Sequence, residues 1–271
     1  MSRPARQPSL YISHGGGPCF WMDWPPPFGP GAFEGLRTYL AGILAALPER
    51  PRAILVVSAH WEAAAPTFAD AAAPGMVFDY YGFPPHTYRL SYPAPGAPDL
   101  ARRAAELLRT AGIASATDSA RGFDHGIFVP FLILDPEARV PVLPLSLRRD
   151  LDPRFHLDLG RALAPLRDEG VLIVGSGNSF HNLSTFADGE AAAATAFDDW
   201  LTAAVTDPDP AARDAALENW PAAPFARACH PREEHLLPLM VAAGAAPEDR
   251  GSRAFHEIIG GKPISGYAFG G

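Results

Sequence analysis

Along this 271-residue chain, short continuous apolar runs alternate with longer amphipathic stretches. The runs cover residues 10–13, 53–58, 140–145 and 171–174, each bounded by Gly, Pro or polar residues. Apolar runs of that length, without polar alternation, predict strands buried on both faces, as in a parallel sheet. Between them, residues 32–47, 98–110 and 154–167 carry apolar positions at helical spacing opposite a polar face. Further helical patterns cover 190–206 and 210–219, and a last helix is expected over 232–243, with Pro231 suited to its start and His235 in its first turns. The alternation predicts an α/β fold, a mostly parallel central sheet flanked by helices.

The stretch 74–96 breaks this rhythm. Its Asp79-Tyr80-Tyr81-Gly82-Phe83-Pro84-Pro85 and Tyr92-Pro93-Ala94-Pro95-Gly96 segments have no regular period, which predicts a long ordered loop of the kind that often carries function. No repeat, low-complexity linker or composition break divides the chain, so a single domain over 1–271 is expected.

Composition narrows the function classes. A formal net charge of −8 disfavours a nucleic-acid or anionic-membrane surface. No apolar run reaches the roughly 18–20 residues of a membrane span, and the N-terminus lacks a signal-peptide core, so a soluble cytoplasmic protein is expected. Cys19 and Cys229 suggest no disulfide framework. Oligomeric state leaves no mark in the sequence.

The nine histidines add chemistry. His14 directly follows the first strand and precedes Gly15-Gly16-Gly17-Pro18. His60 ends Ile54-Leu55-Val56-Val57-Ser58-Ala59, and His181 lies just beyond the fourth strand, in Gly175-Ser176-Gly177-Asn178-Ser179-Phe180-His181. Ligands in open α/β sheets bind at the carboxyl ends of the strands. One histidine after a strand is more often structural; three beside small residues point to a convergent site. His235, in His230-Pro231-Arg232-Glu233-Glu234-His235, is a fourth candidate. His125 follows Asp124, which either orients an imidazole or caps the next helix. Neutral imidazoles suit Zn, Fe, Cu or Ni rather than Ca or Mg. His86, His156, His230 and His256 are read as loop or surface residues. Arg89 and Arg121 are candidates for pairing with a substrate carboxylate, and are read equally well as surface charges.

Two other chemistries compete. His14-Gly15-Gly16-Gly17 resembles the oxyanion segment of lipases, but Ser179-Phe180-His181 lacks the second glycine of Gly-x-Ser-x-Gly. A zinc-dependent hydrolase is the stronger alternative, and a non-catalytic metal-binding protein is another.

Taken in order, Ser13-His14-Gly15-Gly16-Gly17-Pro18, Val57-Ser58-Ala59-His60-Trp61, the Asp79 to Gly96 loop, Gly122-Phe123-Asp124-His125-Gly126, Ser176-Gly177-Asn178-Ser179-Phe180-His181-Asn182-Leu183 and Glu234-His235-Leu236-Leu237-Pro238-Leu239 resemble the class III extradiol ring-cleavage dioxygenases, 4,5-DOPA dioxygenase-like branch. The resemblance spans nearly the whole chain. It implies one non-haem divalent metal, with Fe(II) for activity and Zn(II) an alternative occupant on isolation. It also implies a catecholic substrate, O2 as co-substrate and a ring-opened semialdehyde product. It assigns His14, His60 and His235 to the metal. His181 becomes an acid/base that in some members lies close enough to the metal to be counted with its ligands, and His125 a second active-site histidine that bonds dioxygen or substrate. Where protocatechuate-cleaving relatives use two histidines and a carboxylate, this chain offers His235, with Glu233 and Glu234 beside it.

Overall fold

The four apolar runs fold into the four neighbouring strands at the centre of one sheet. The computed structural model describes residues 4–26, 28–186 and 191–270. Within them, strands β1 (Ser9–Ser13), β2 (Ala53–Ala63), β3 (Thr67–Phe68), β4 (Ala116–Thr117), β5 (Val142–Arg148), β6 (Val171–Gly177), β7 (Gly251–Ile259) and β8 (Lys262–Phe269) order as β4-β3-β5-β2-β6-β1-β8-β7. The β5-β2-β6-β1 centre is parallel throughout, whereas β3 meets β5, and β8 meets β1, antiparallel. Val56, Val57, Leu143, Leu145, Leu172 and Ile173 are fully buried. Each such side chain is worth about 1.5–3 kcal/mol relative to exposure.

The helices are α1 (Glu34–Ala46), α2 (Pro98–Thr110), α3 (His125–Leu134), α4 (Pro153–Leu163), α5 (Pro165–Asp168), α6 (Ala191–Val205), α7 (Pro210–Glu218), α8 (Ala226–Cys229) and α9 (Leu237–Gly244). The helix expected over 154–167 divides at Ala164, because Pro165 cannot donate into a continuing ladder. The start expected at Glu190 lies outside the described residues. The last helix begins later than expected: α9 starts at Leu237, with Pro238 in its first turn, and Pro231 and His235 lie in the turns before it. Successive β6 residues face opposite helices. A Cβ on Gly175 or Gly177 would lie 2.2 Å from the Pro238 carbonyl or 2.0 Å from that of His235, so glycine lets the chain entering α9 lie directly on the strand. Ser176, between them, points to α3.

The β7–β8 hairpin was not among the expected elements. It turns through Gly260 and Gly261, both at positive φ, between the paired residues Ile259 and Lys262. The loop over 74–96 contains one 3-10 turn, Pro85–Arg89, and is tied down by the Tyr80 hydroxyl donating to the Thr87 carbonyl at 2.8 Å.

Candidate active site

Register brings the strand-end histidines to one place. Ser13 pairs with Gly177 and Ser58 with Ser176, so β1 and β6 end, and the β2–β6 ladder stops, at the same level of the sheet, while β2 itself runs on to Ala63. His14 follows β1, and His60 sits where β2 peels away from β5 across a register shift between Val57 and Glu62. His235 reaches the same point from the turn before α9, its carbonyl held by the Tyr11 hydroxyl at 2.8 Å. Donor atoms of His14, His60 and His235 lie within 4.8 Å of one another. Two further groups share these residues: His60 with Asp79 and His125, and His235 with His181 and Glu234.

Hydrogen bonds set which nitrogens are free. In α3, Pro130 has no N–H to offer the Gly126 carbonyl four residues back, and the Ser176 hydroxyl donates to that carbonyl instead. With its proton so committed, Ser176 Oγ is the acceptor for His14 Nδ1 at 3.1 Å, leaving the Nε2 lone pair of His14 unprotonated. That Nε2 lies 3.2 Å from Nε2 of His60. Two imidazoles bound to one metal at ~2.0–2.1 Å in tetrahedral geometry hold their nitrogens roughly 3.3 Å apart, so this pair is spaced for a divalent metal, and a His235 nitrogen lies within 4.8 Å of both.

Asn178 sits beneath this group. The Ser13 hydroxyl donates to its Oδ1 at 2.6 Å, which fixes the amide so that Nδ2 faces the Gly15 carbonyl at 3.1 Å, His14 Nε2 at 3.2 Å and His235 Nδ1 at 3.5 Å. Burial, with the charge that neighbouring imidazoles would carry, pushes His14 and His235 well below the ordinary histidine value. Burial and His125 do the same to His60, against the opposing pull of Asp79. All three are therefore neutral near pH 7, as metal ligation requires.

Two carboxylates hold the remaining histidines. Asp79 Oδ1 accepts from His125 Nδ1 at 2.7 Å and from its backbone N at 3.1 Å. Burial raises the Asp79 carboxyl, but these hydrogen bonds and the charges of His125 and His60 outweigh it and hold it below the usual value. Glu234 Oε1 lies 3.2 Å from His181 Nδ1, and the His181 ring stacks on His235 with centroids 3.4 Å apart. Burial raises Glu234, and its hydrogen bond to His181 leads the effects that bring it below the ordinary value.

In the sequence Asp79 stands out only as part of the aperiodic loop, and Asn178 and Ser176 only as members of a motif, with no local signal of their partners. Asp124, at the start of α3, makes no side-chain cap and instead accepts from Ser58 at 2.7 Å and Arg121 at 2.7 Å. Glu233 pairs with Arg227 away from the histidines. His156 and His230, read from the sequence as loop or surface residues, are fully buried. His156 accepts from the Arg148 N–H and bonds the Asp152 carbonyl, and His230 bonds the Ser179 carbonyl. Ser179, the residue nearest to a hydrolase nucleophile, is buried with its hydroxyl accepting from the Ser265 N–H.

A cavity of about 490 Å³ opens over the cluster, lined by His14, His60, His125, His181 and His235 at its base and by aromatic and aliphatic side chains above. A smaller polar opening reaches His60, His181 and His235 from another side, past Glu62, Arg232 and Glu234.

Over residues 9–269 the chain matches the family described as the catalytic LigB subunit of aromatic ring-opening dioxygenase. The chain belongs to this family. Within the family it falls in the 4,5-DOPA dioxygenase branch of the class III extradiol dioxygenases. It is 42% identical over 221 residues to 4,5-DOPA dioxygenase extradiol of Beta vulgaris, covering 80% of this chain and 81% of the relative. It is 37% identical over 292 residues to dioxygenase tasH of Hapsidospora irregularis, covering 100% of this chain and 87% of the relative. A crystal structure of an uncharacterised protein from Escherichia coli K12 superposes with a TM-score of 0.76 at 30% identity, over 98% of this chain and 100% of the other. Its fold is the same α/β sheet with flanking helices. Among the described residues, no helix is long and apolar enough to cross a membrane.

Proposed function

We propose that this protein is a metal-dependent extradiol dioxygenase that opens a catechol-type ring with O2 to a semialdehyde. The observation that carries the reading is the layering of the site: three neutral histidines with converging nitrogens, two carboxylate-held histidines beside them, and a ring-sized aromatic cavity above. His14, His60 and His235 would hold the metal, with Fe(II) expected in the active protein. Three neutral ligands leave the ion's charge unreduced, which also suits Zn(II) on isolation. When bound, the metal acidifies the catechol hydroxyls and brings the ring and O2 together.

The chain's own residues supply proton handling. With Nδ1 of His181 facing Glu234, the proton on that ring sits at Nδ1 and Nε2 is left to accept a proton from the substrate. Glu234 stabilises the imidazolium that results. His125, with Nδ1 committed to Asp79, likewise presents Nε2 to the cavity as a hydrogen-bond partner for the reacting oxygens. The aromatic wall excludes water from the ring.

The test is to load the protein with Fe(II) anaerobically, add a broad catechol panel, admit oxygen, and follow oxygen uptake and a yellow ring-opened product. Absence of ring cleavage throughout, with iron bound, overturns the assignment; oxygen-independent ester or amide cleavage would favour the zinc hydrolase.

A further inference from the structure

Away from the histidines and the Ser13–Asn178 pair beside them, the cavity is mostly aromatic and aliphatic. Trp24, Phe28, Phe83, Leu183, Phe186 and Ile264 line it. Trp24 centres a continuous aromatic wall, with ring centroids 5.0 Å from Phe28 and 6.2 Å from Phe83, while Phe28 meets Phe186 at 5.6 Å. The Trp24 indole and the Tyr80 hydroxyl are engaged elsewhere, donating to the Cys19 carbonyl at 3.2 Å and to the Thr87 carbonyl, which leaves the exposed Tyr81 hydroxyl at the rim as the polar group of this wall. The apolar surface continues to the rim, where Leu183 is 74% and Tyr81 91% exposed.

No lysine or arginine lines this cavity among the described residues. Arg121 is bound to Asp124 and the His60 carbonyl. Arg232 makes a two-pronged pair with Glu62 at the other opening. Lys262, the chain's single lysine, is 2% exposed and has its ammonium 5.7 Å from the Phe180 ring centroid, outside the lining. Arg89 is exposed and also outside it. A carboxylate carried into this wall would lose its hydration without meeting a countercharge, whereas an alkyl or aryl group would gain contacts.

We propose that the substrate is a catechol bearing an uncharged apolar substituent, held by the Trp24–Phe28–Phe83–Phe186 wall with its far end at the Leu183–Tyr81 rim. This rests on the ring-cleaving reading for the word catechol; the apolar preference rests on the cavity alone. Each methylene buried against the wall contributes about 0.8 kcal/mol, or roughly fourfold in affinity, until the substituent reaches the rim.

Two measurements test it. In the Fe(II)-loaded protein, kcat/KM is compared for unsubstituted catechol, 4-methyl- to 4-butylcatechol, and 4-(3,4-dihydroxyphenyl)butanoate. A climb along the alkyl series, and at least a hundredfold preference for butyl over butanoate, is expected. Equal or better turnover of the carboxylate overturns the proposal. Independently of turnover, calorimetry under nitrogen compares 4-butylphenol with 4-(4-hydroxyphenyl)butanoate on the metal-free protein and on Leu183→Arg. The wild type should favour butylphenol at least tenfold, and Leu183→Arg, which places a cation at the rim, should narrow that gap tenfold. Equal binding of the two phenols by wild type overturns the proposal. If the phenol preference holds but no catechol is opened by iron-loaded protein, the ring-cleaving reading fails and the apolar site stands.

Discussion

Replacing Ser176 with alanine separates two consequences of one hydroxyl. Ser176 donates to the Gly126 carbonyl, which Pro130 leaves without a helical donor, and accepts from His14 Nδ1 at 3.1 Å. Ser176 is 0% and His14 1% exposed, so water cannot take its place. A buried polar group left unpaired costs about 1–3 kcal/mol. For the Gly126 carbonyl that cost appears as lost folding stability. For His14 it appears in metal binding: without an acceptor at Nδ1 only the Asn178 amide facing Nε2 opposes a shift of the ring proton to Nε2, where it blocks ligation. At about 1.4 kcal/mol per decade, the metal Kd should rise about 5- to 150-fold, in line with the usual effect of removing a ligand's supporting hydrogen bond. The assay is competition with a chromophoric chelator for Fe(II) at neutral pH, paired with urea unfolding of the metal-free protein. Adding Pro130→Ala to Ser176→Ala supplies a helical N–H to Gly126 and should recover stability without recovering metal affinity. A folded Ser176→Ala protein whose metal Kd stays within about twofold of wild type would refute the reasoning.

Three further outcomes are expected. Glu234→Gln removes the charge opposite His181 Nδ1 and should lower kcat about 5- to 13-fold with metal affinity nearly unchanged, since charged hydrogen-bond partners are worth roughly 1–1.5 kcal/mol more than neutral ones; large metal loss would place His181 or Glu234 among the ligands. Asp79→Asn should weaken both turnover and metal binding, because one carboxylate contacts His125 at 2.7 Å and lies 3.7 Å from His60; a change in neither removes Asp79 from the site. Burial holds His156 down at about 4 against an ordinary 6.5, so the unfolded chain takes up its proton first as pH falls. Its contribution of about 3 kcal/mol is therefore complete above pH ~6.5 and lost progressively towards pH ~4. Urea midpoints across that window should fall less steeply for His156→Gln, which keeps an acceptor for the Arg148 N–H; an identical slope would contradict the assignment.

The central strands were legible in the sequence because four continuous apolar runs have one economical use, burial on both faces. The histidines were legible for the same reason: His14 and His181 follow strand ends, and His60 the end of an apolar run inside β2, that parallel pairing brings to one edge. The hairpin Gly251–Phe269 was less visible, although Gly260-Gly261 is the turn chemistry that a two-residue hairpin needs. His235 was located in the wrong element, since a favourable helix start at Pro231 was outweighed by the close packing of its chain on Gly175 and Gly177. Asp79 is 46 residues from His125, and Ser176 is 162 from His14, so neither pairing has a local pattern to announce it. Family resemblance supplied the ring-cleaving chemistry; the apolar wall over the histidines emerges only when residues from several loops are assembled.

Among the described residues the arrangement offers a metal three overlapping donor groups, and the proposed site uses one of them. An anomalous difference map of crystals grown from anaerobically Fe(II)-loaded protein should show a single peak bonded to His14, His60 and His235 at ~2.0–2.2 Å, with His125 and His181 left to their carboxylates. A peak held instead by His60, Asp79 and His125, or by His181, Glu234 and His235, would contradict it.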